Sequence, residues 1–207
     1  MNEYFAGAIS GLSCAVIGHP LETYKSNIQN KTKVIPNFYS LMKGVIPSCK
    51  SNIIQNSFIF GFNNNLQNYT DNIFITGAIT GFITSTISCP FENKKIQLQN
   101  RCKQIKYFRS IEIGVFKETL GLSLFFGVYD FLRKNNINTF WAGGITGVFS
   151  WIFTYNLDVI STRMKSNYKM TYKQAFNQGN LWKGFGVCIT RSFITNSIGF
   201  YIFEYCR

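Results

Sequence analysis

Three basic residues recur at matched positions within apolar segments of the sequence, and they are Lys50, Lys117 and Arg191. Each lies thirteen residues before the second member of an aromatic-polar pair, and these pairs are Phe62-Asn63, Tyr129-Asp130 and Phe203-Glu204. At about 1.5 Å of rise per residue, each base would lie roughly 20 Å from its helix end, near the middle of a bilayer. Cations at that depth are costly unless they face water or an opposite charge. The spacing therefore predicts an anion-binding set in a solvated cavity; snorkelling, or pairing with Glu112 and Glu118 for stability, is the alternative.

A second pattern places an acid and a base one helical turn apart. Two complete copies and one degenerate copy are Pro20-Leu-Glu22-Thr-Tyr-Lys25, Pro90-Phe-Glu92-Asn-Lys-Lys95 and Asn156-Leu-Asp158-Val-Ile-Ser161. Proline removes a backbone hydrogen bond and bends a helix, which draws three helix ends together. The acid of one copy can then pair with the base of the next and form a gate, whereas ordinary solvation of charges at helix ends is the alternative.

These charges follow a repeated apolar element. Its three copies are Ala6-Gly-Ala-Ile-Ser-Gly11, Thr76-Gly-Ala-Ile-Thr-Gly81 and Ala142-Gly-Gly-Ile-Thr-Gly147. Small residues four apart allow close approach of membrane helices. Charge-free runs at 4–21, 73–91 and 140–157 alternate with apolar segments at 45–66, 111–132 and 185–205. We therefore expect an all-α membrane protein with six transmembrane helices, in helix-pair repeats at 1–70, 71–136 and 137–207.

Composition supports a membrane environment. Only 14% of the residues are charged, against about 25% in ordinary globular chains, and the net charge is +12. Because the basic residues cluster between apolar segments, a membrane surface is favoured over nucleic acid as their partner. The six cysteines form no C-x-x-C pair, and His19 is the single histidine. We expect reduced thiols, no metal site, no cofactor and no enzymatic activity.

The repeated motifs resemble those of the mitochondrial carrier family over nearly the whole chain. Supporting elements are Leu41-Met-Lys-Gly44, Leu181-Trp-Lys-Gly184 and the endings Tyr129-Asp130-Phe-Leu-Arg133 and Phe203-Glu204-Tyr-Cys-Arg207. Three segments are similar to the carnitine/acylcarnitine and basic amino acid carriers, namely Gly18-His-Pro-Leu-Glu-Thr23, Lys117-Glu118-Thr-Leu-Gly121 and Arg191-Ser-Phe193. The resemblance implies a pseudo-threefold six-helix bundle around a central cavity that opens alternately to each side of the mitochondrial inner membrane.

The resemblance also implies roles for individual residues. The predicted substrate-binding residues are Lys50, Lys117, Glu118 and Arg191, in which Arg191 and Lys50 hold a carboxylate and Glu118 holds a cationic group. The predicted matrix gate consists of Glu22, Lys25, Glu92, Lys95, Asp158 and Gln97. Its links are Glu22–Lys95, Asp158–Lys25 and Glu92 with position 161, where Ser161 leaves Glu92 dependent on water or Arg163. The predicted cytoplasmic gate consists of Asp130, Arg133, Glu204 and Arg207, with Asp130–Arg207 as the surviving ion pair.

Two departures from the family define a shortened form. Gly44 follows Lys25 by only 19 positions, and Ser110 follows Lys95 by only 15, both fewer than the family usually has. Asn63 and Leu66 stand where an acid and a base are expected. We expect a monomeric transporter of a small charged metabolite, such as a basic amino acid or carnitine, with cardiolipin as a lipid partner near Lys43 and Lys183. A nucleotide or S-adenosylmethionine carrier, and a reduced homologue that does not transport, are the alternatives.

Overall fold

The protein is described by a computed structural model that covers residues 3–29, 42, 45–99, 107–167 and 169–206. The described part is all-helical. Its helices are α1 (Glu3–Gln29), α2 (Val45–Gln67), α3 (Ile73–Gln99), α4 (Ile111–Lys134), α5 (Thr139–Ser166), α6 (Tyr172–Asn177) and α7 (Phe185–Cys206). The short α6 was not predicted from the sequence. It begins with a capping box in which Thr171 and Gln174 satisfy each other's backbone N–H groups,.

The six long helices pack as a closed ring. Each is in contact with the next in the order α1, α2, α3, α4, α5 and α7, and α7 packs back against α1. Helices α1, α3 and α5 carry the Gly-rich elements, and α2, α4 and α7 carry the three aligned basic positions. A closed ring leaves a space along its axis, which side chains of the surrounding helices can face.

The predicted small-residue motifs lie at the helix contacts. A Cβ atom at Gly7 would lie 2.7 Å from the Asn56 carbonyl oxygen, and one at Gly77 would lie 2.6 Å from that of Leu122. Ser57 and Ser123 then donate hydrogen bonds to the carbonyls of Tyr4 and Phe74. The same close approach therefore recurs in successive helix pairs, because glycine lets the two backbones touch.

Helices α1 and α3 continue well past their prolines. Pro20 and Pro90 lie inside these helices, which extend to Gln29 and Gln99. The apolar runs alone end near the prolines, so the hydropathy pattern underestimates the helix length. The extra turns carry the acid and the base of each repeated motif, which places those charges at one end of the bundle.

An aromatic layer fixes the relative position of α2, α4 and α7. Phe60, Phe126 and Phe200 are buried side by side, and the Phe60 ring centroid lies 6.2 Å from that of Phe126 and 5.5 Å from that of Phe200. Edge-to-face and offset contacts at such distances are the favourable ones for aromatic pairs. The three residues therefore occupy equivalent positions in α2, α4 and α7.

The outer surface carries large apolar side chains, and small polar side chains are buried between the helices. Large side chains that are more than half exposed include Phe82, Phe116, Phe131, Trp141, Phe153 and Tyr201. Small polar side chains that are buried include Ser10, Thr76, Thr80, Thr146, Ser192 and Ser197. By length and hydropathy, two segments of the described chain qualify as membrane spans, Glu3–Lys25 and Ile73–Pro90.

Candidate functional site

A cavity of about 160 Å³ lies on the axis of the ring. Its polar lining includes Asn56, Lys117, Glu118, Ser150, Thr154 and Asn196. The aromatic layer, through Phe60 and Phe200, closes one end of it. Two of the predicted substrate residues, Lys117 and Glu118, therefore face this space.

Lys117 connects the cavity to the charges at the proline end. Its Nζ lies 2.9 Å from Glu118 Oε1 and 3.2 Å from Asp158 Oδ1. The Lys117 side chain is only 12% exposed, so its charge depends on both carboxylates for stabilisation. The pairing with Glu118, considered above as the alternative, is present, and the link to Asp158 was not predicted.

Arg191 is not among the residues that line this cavity, but it lies beside the ring of Trp151, which does line it. Its guanidinium carbon is 6.0 Å from the indole centroid. The Arg191 Nε is buried and has no hydrogen-bond partner among the described residues. A buried guanidinium nitrogen without a partner is costly, so a bound anion would be stabilising at this position.

Trp151 is a site residue that the sequence reasoning missed. Lys25 Nζ lies 4.6 Å from its ring centroid and Lys117 Nζ lies 6.0 Å from it, on a ring that Arg191 also approaches. Three cations therefore lie within cation–π range of one indole ring. The available signal was spacing, because Trp151 precedes Asp158 by seven residues and so lies on the same face of α5.

The prediction for Lys50 is corrected by the aromatic layer. Because Phe60 matches Phe126 and Phe200, the counterpart of Lys117 and Arg191 in α2 is Ser51 rather than Lys50. One residue along a helix rotates a side chain by about 100°. The Lys50 side chain is accordingly exposed and does not line the axial cavity.

One link of the predicted matrix gate is present in the structure. Lys25 Nζ lies 2.8 Å from Asp158 Oδ2, with side chains that are 9% and 14% exposed. This pair joins α1 to α5. The Lys95 and Gln97 side chains lie outside the described residues, so the Glu22–Lys95 pair and the Gln97 brace stay predictions.

The prediction for Glu92 was wrong about its partner. Glu92 Oε2 lies 3.3 Å from Lys165 Nζ, and Glu92 Oε1 accepts a hydrogen bond of 2.6 Å from Gln55 Nε2. Arg163, the partner suggested by the sequence, instead donates to the backbone carbonyls of Ala175 and Gly179 at 2.8 Å. Lys165 supplies the cation that position 161 lacks, because it lies one helical turn further along the same face of α5.

At the opposite end of the bundle, the residues of the predicted cytoplasmic gate form ion pairs that were not predicted. Glu204 accepts hydrogen bonds from Tyr129 and Thr139, and its Oε2 lies 3.5 Å from Arg133 Nη2. Asp130 pairs with Lys134 within α4 at 2.6 Å, because that lysine is one turn away. Arg207 lies outside the described residues, so the Asp130–Arg207 link stays a prediction.

A second cavity of about 280 Å³ lies at this opposite end. Its lining includes Asn63, Asn64, Asp130, Arg133 and Glu204 above the aromatic layer. Ion pairs lie at the proline end of the axial space, and stacked rings lie at the opposite end. Within these residues, we find no cluster of three histidine, cysteine or carboxylate side chains suited to a metal ion.

Comparisons with known proteins agree with the repeated motifs. The family profile described as mitochondrial carrier protein matches residues 132–207. Mitochondrial substrate carrier family protein L of Dictyostelium discoideum is 28% identical, over 99% of this chain and 94% of that protein. Mitochondrial arginine transporter BAC2 of Arabidopsis thaliana is 24% identical, over 98% of this chain and 89% of its own length.

A third relative points in the same direction. The mitochondrial basic amino acids transporter of Rattus norvegicus is 24% identical, over 80% of this chain and 71% of that protein. The alignment with the Dictyostelium discoideum carrier spans 267 positions, more than the 207 residues of this chain, so the relative has residues with no counterpart in this chain. The repeated motifs and these alignments show that the chain is similar to mitochondrial carriers over most of its length.

Proposed function

We propose that the chain is an alternating-access transporter with six membrane-spanning helices in the mitochondrial inner membrane. The three helix-pair repeats would comprise residues 1–70, 71–136 and 137–207. The closed ring of long helices, the recurring glycine contacts and the large aromatic side chains on the outer surface support this arrangement,. Small polar side chains at the helix contacts and a charged axis are unfavourable facing lipid and favourable inside such a bundle.

The proposed substrate is a small zwitterion or cationic carboxylate, such as a basic amino acid or carnitine. The observation that carries this proposal is the buried Nε of Arg191, which has no hydrogen-bond partner among the described residues, in a bundle where Lys117 pairs with Glu118 at 2.9 Å. Arg191 would bind the carboxylate of the substrate, and Glu118 would exchange Lys117 for its cationic group. When Lys25 moves away, the Trp151 ring would form a cation–π contact with the cationic group of the substrate.

The size of the cavity favours a small metabolite over a nucleotide. A volume of about 160 Å³ in the closed ring lies below the roughly 300–1,000 Å³ of pockets for drug-sized ligands. The small polar residues along the wall leave room for a compact polar ligand after modest opening. The names of two relatives, an arginine transporter and a basic amino acids transporter, support the same class of substrate.

Alternation would require the two closed ends to open in turn. Ion pairs close the proline end and stacked rings close the opposite end, so neither end is held by covalent or metal links among the described residues. A substrate that binds the two states with different affinities can shift the population between them when they differ by only a few kcal/mol. We further propose a monomer, with cardiolipin bound at the helix starts near Lys43 and Lys183.

The test is a thermostability screen of the purified protein against a metabolite library. A ligand at about 100 times its Kd stabilises the folded state by about 2.7 kcal/mol, which raises the melting temperature by several degrees. We expect basic amino acids or carnitine to do this, and Arg191→Gln to abolish the shift without lowering the unliganded melting temperature. Shifts produced by nucleotides alone would favour the nucleotide carrier, and binding without uptake into liposomes would favour a homologue that does not transport.

A further inference from the structure

Lys165 has a role that the repeated motif does not assign. The third copy of the motif has Ser161 where the first two copies have Lys25 and Lys95. The Ser161 hydroxyl is buried and has no hydrogen-bond partner among the described residues. Ser161 therefore does not bind Glu92, and the carboxylate needs another cation.

Helix geometry explains how Lys165 reaches that carboxylate. Side chains of an α-helix lean toward its N-terminus, so the ammonium of Lys165 extends back toward the level of Ser161. The Lys165 side chain is only 5% exposed, and its Nζ lies 3.3 Å from Glu92 Oε2. A lysine at position 165 can thus present its charge almost where a lysine at 161 would.

The Glu92–Lys165 pair joins helices that are not neighbours in the ring. Helices α3 and α5 both flank α4, and Glu92 is also bonded to Gln55 of α2. A buried ion pair is a poor source of stability, because the desolvation of both groups offsets their attraction. An ion pair that links α3 and α5 without adding much stability suits a contact that must break and re-form during opening.

We propose that Lys165 is the base of the third link at the proline end, moved one helical turn from its place in the other two copies. Together with Lys25–Asp158, this link closes the axial cavity at that end. The assignment rests on the proposed transport function for its purpose, although the closure itself can be measured without any substrate. Arg109 supports it by donating hydrogen bonds to the carbonyls of Met164 and Met170, which anchor the end of α5.

The native thiol of Cys14 reports on this closure because it lines the axial cavity. The other five cysteines are replaced by serine, and a membrane-impermeant thiol reagent is applied to each face of sealed vesicles that contain the full chain. We expect Lys165→Gln to speed labelling of Cys14 from the proline-end face by at least about tenfold, because removing one member of a buried ion pair leaves the other charge uncompensated. Lys165→Arg should label at the parent rate.

Two further variants make the test specific. Adding Ser161→Lys to Lys165→Gln should restore slow labelling, because the base returns to the position used in the other copies. Lys173→Gln, which removes an exposed lysine of α6, should label at the parent rate. If Lys165→Gln does not fold, recovery of a folded and slowly labelled Ser161→Lys/Lys165→Gln protein supports the assignment, and an unfolded or rapidly labelled double variant overturns it.

The outcome is separable from the test of transport. Labelling at the parent rate in Lys165→Gln, while Lys25→Gln accelerates it, would overturn the role of Lys165 and leave transport untouched. A chain that responds as expected in labelling, yet takes up no metabolite, would overturn the proposed transport and leave the gate assignment standing.

Discussion

Asp158 and Lys25 should respond unequally to neutralisation. Asp158 lies 2.8 Å from Lys25 Nζ and 3.2 Å from Lys117 Nζ. Asp158→Asn therefore removes the carboxylate that Lys25 pairs with, while Lys117 keeps its second partner, Glu118. Lys25→Gln leaves the carboxylate paired with Lys117. The geometry thus predicts a larger loss of stability for the acid than for the base.

The size of each loss in stability follows from the number of partners that the remaining charge keeps. Breaking a buried pair by removing one member costs about 3–5 kcal/mol, and we expect Asp158→Asn to fall in that range. For Lys25→Gln we expect about 1–2 kcal/mol, because one cation still neutralises the carboxylate. At about 2–4 °C per kcal/mol for a chain of this size, the difference in melting temperature is readily measured on the purified protein.

Exchange of the two charges should restore function only in part. In Lys25→Asp/Asp158→Lys the new lysine would lie beside Lys117, so the restored pair carries a repulsion that the parent lacks. We expect the single reversal Lys25→Asp to impair uptake and the double variant to recover a fraction of it. A melting temperature that falls as far for Lys25→Gln as for Asp158→Asn, or full recovery in the exchange, would refute the shared position of Asp158.

Three further variants test packing, binding and anchoring. Gly81→Val should cost about 1–3 kcal/mol, since a Cβ there would lie 2.5 Å from the Glu118 carbonyl; Gly114→Ala, with open space around it, is the control and should melt no lower than the parent. Arg191→Gln should reduce uptake at least about tenfold, as expected when a charged hydrogen-bond donor to the substrate is lost, whereas Arg191→Lys should retain more; equal uptake by both would contradict carboxylate binding. Arg109→Gln should lower the melting temperature by several degrees, through the loss of charged hydrogen bonds worth about 1.5–3 kcal/mol each, and an unchanged melt would show that the end of α5 is held by other contacts.

The sequence predicts the helix pairs and many of the charges because these depend on local pattern. Glycines four residues apart identify the helix contacts at Gly7 and Gly77, where the backbones touch. The spacing of acid and base also names Lys25 and Asp158, which lie within hydrogen-bonding distance. Such features recur within one helix, so a single sequence contains them.

The position of Lys50 shows where a local pattern is insufficient. Alignment on the polar residue at the end of α2 shifts the register by one residue, and one residue turns a side chain by about 100°. The signal that fixes the register is the Phe-Gly pair at Phe60 and at Phe126, since each following glycine packs against an aromatic ring of the preceding helix. Alignment on buried aromatic residues would have placed Ser51 with Lys117.

Lys165 and Trp151 could not be derived from motif spacing alone. Whether Lys165 reaches Glu92 depends on how α3 and α5 approach each other around α4, which is a property of the assembled ring. The three cations near Trp151 likewise come from three different helices. Long-range juxtaposition of this kind needs the fold before it can be recognised.

The central claim is that the axial cavity carries a small carboxylate-bearing metabolite across the membrane, and uptake into liposomes tests it most directly. Purified protein is reconstituted, the liposomes are loaded with unlabelled arginine or carnitine, and entry of the radiolabelled compound is followed over time. The account predicts saturable uptake that is lost in Arg191→Gln and retained in Lys173→Gln. Uptake that is absent for every charged metabolite tested with a folded protein, or that is unchanged in Arg191→Gln, would contradict it.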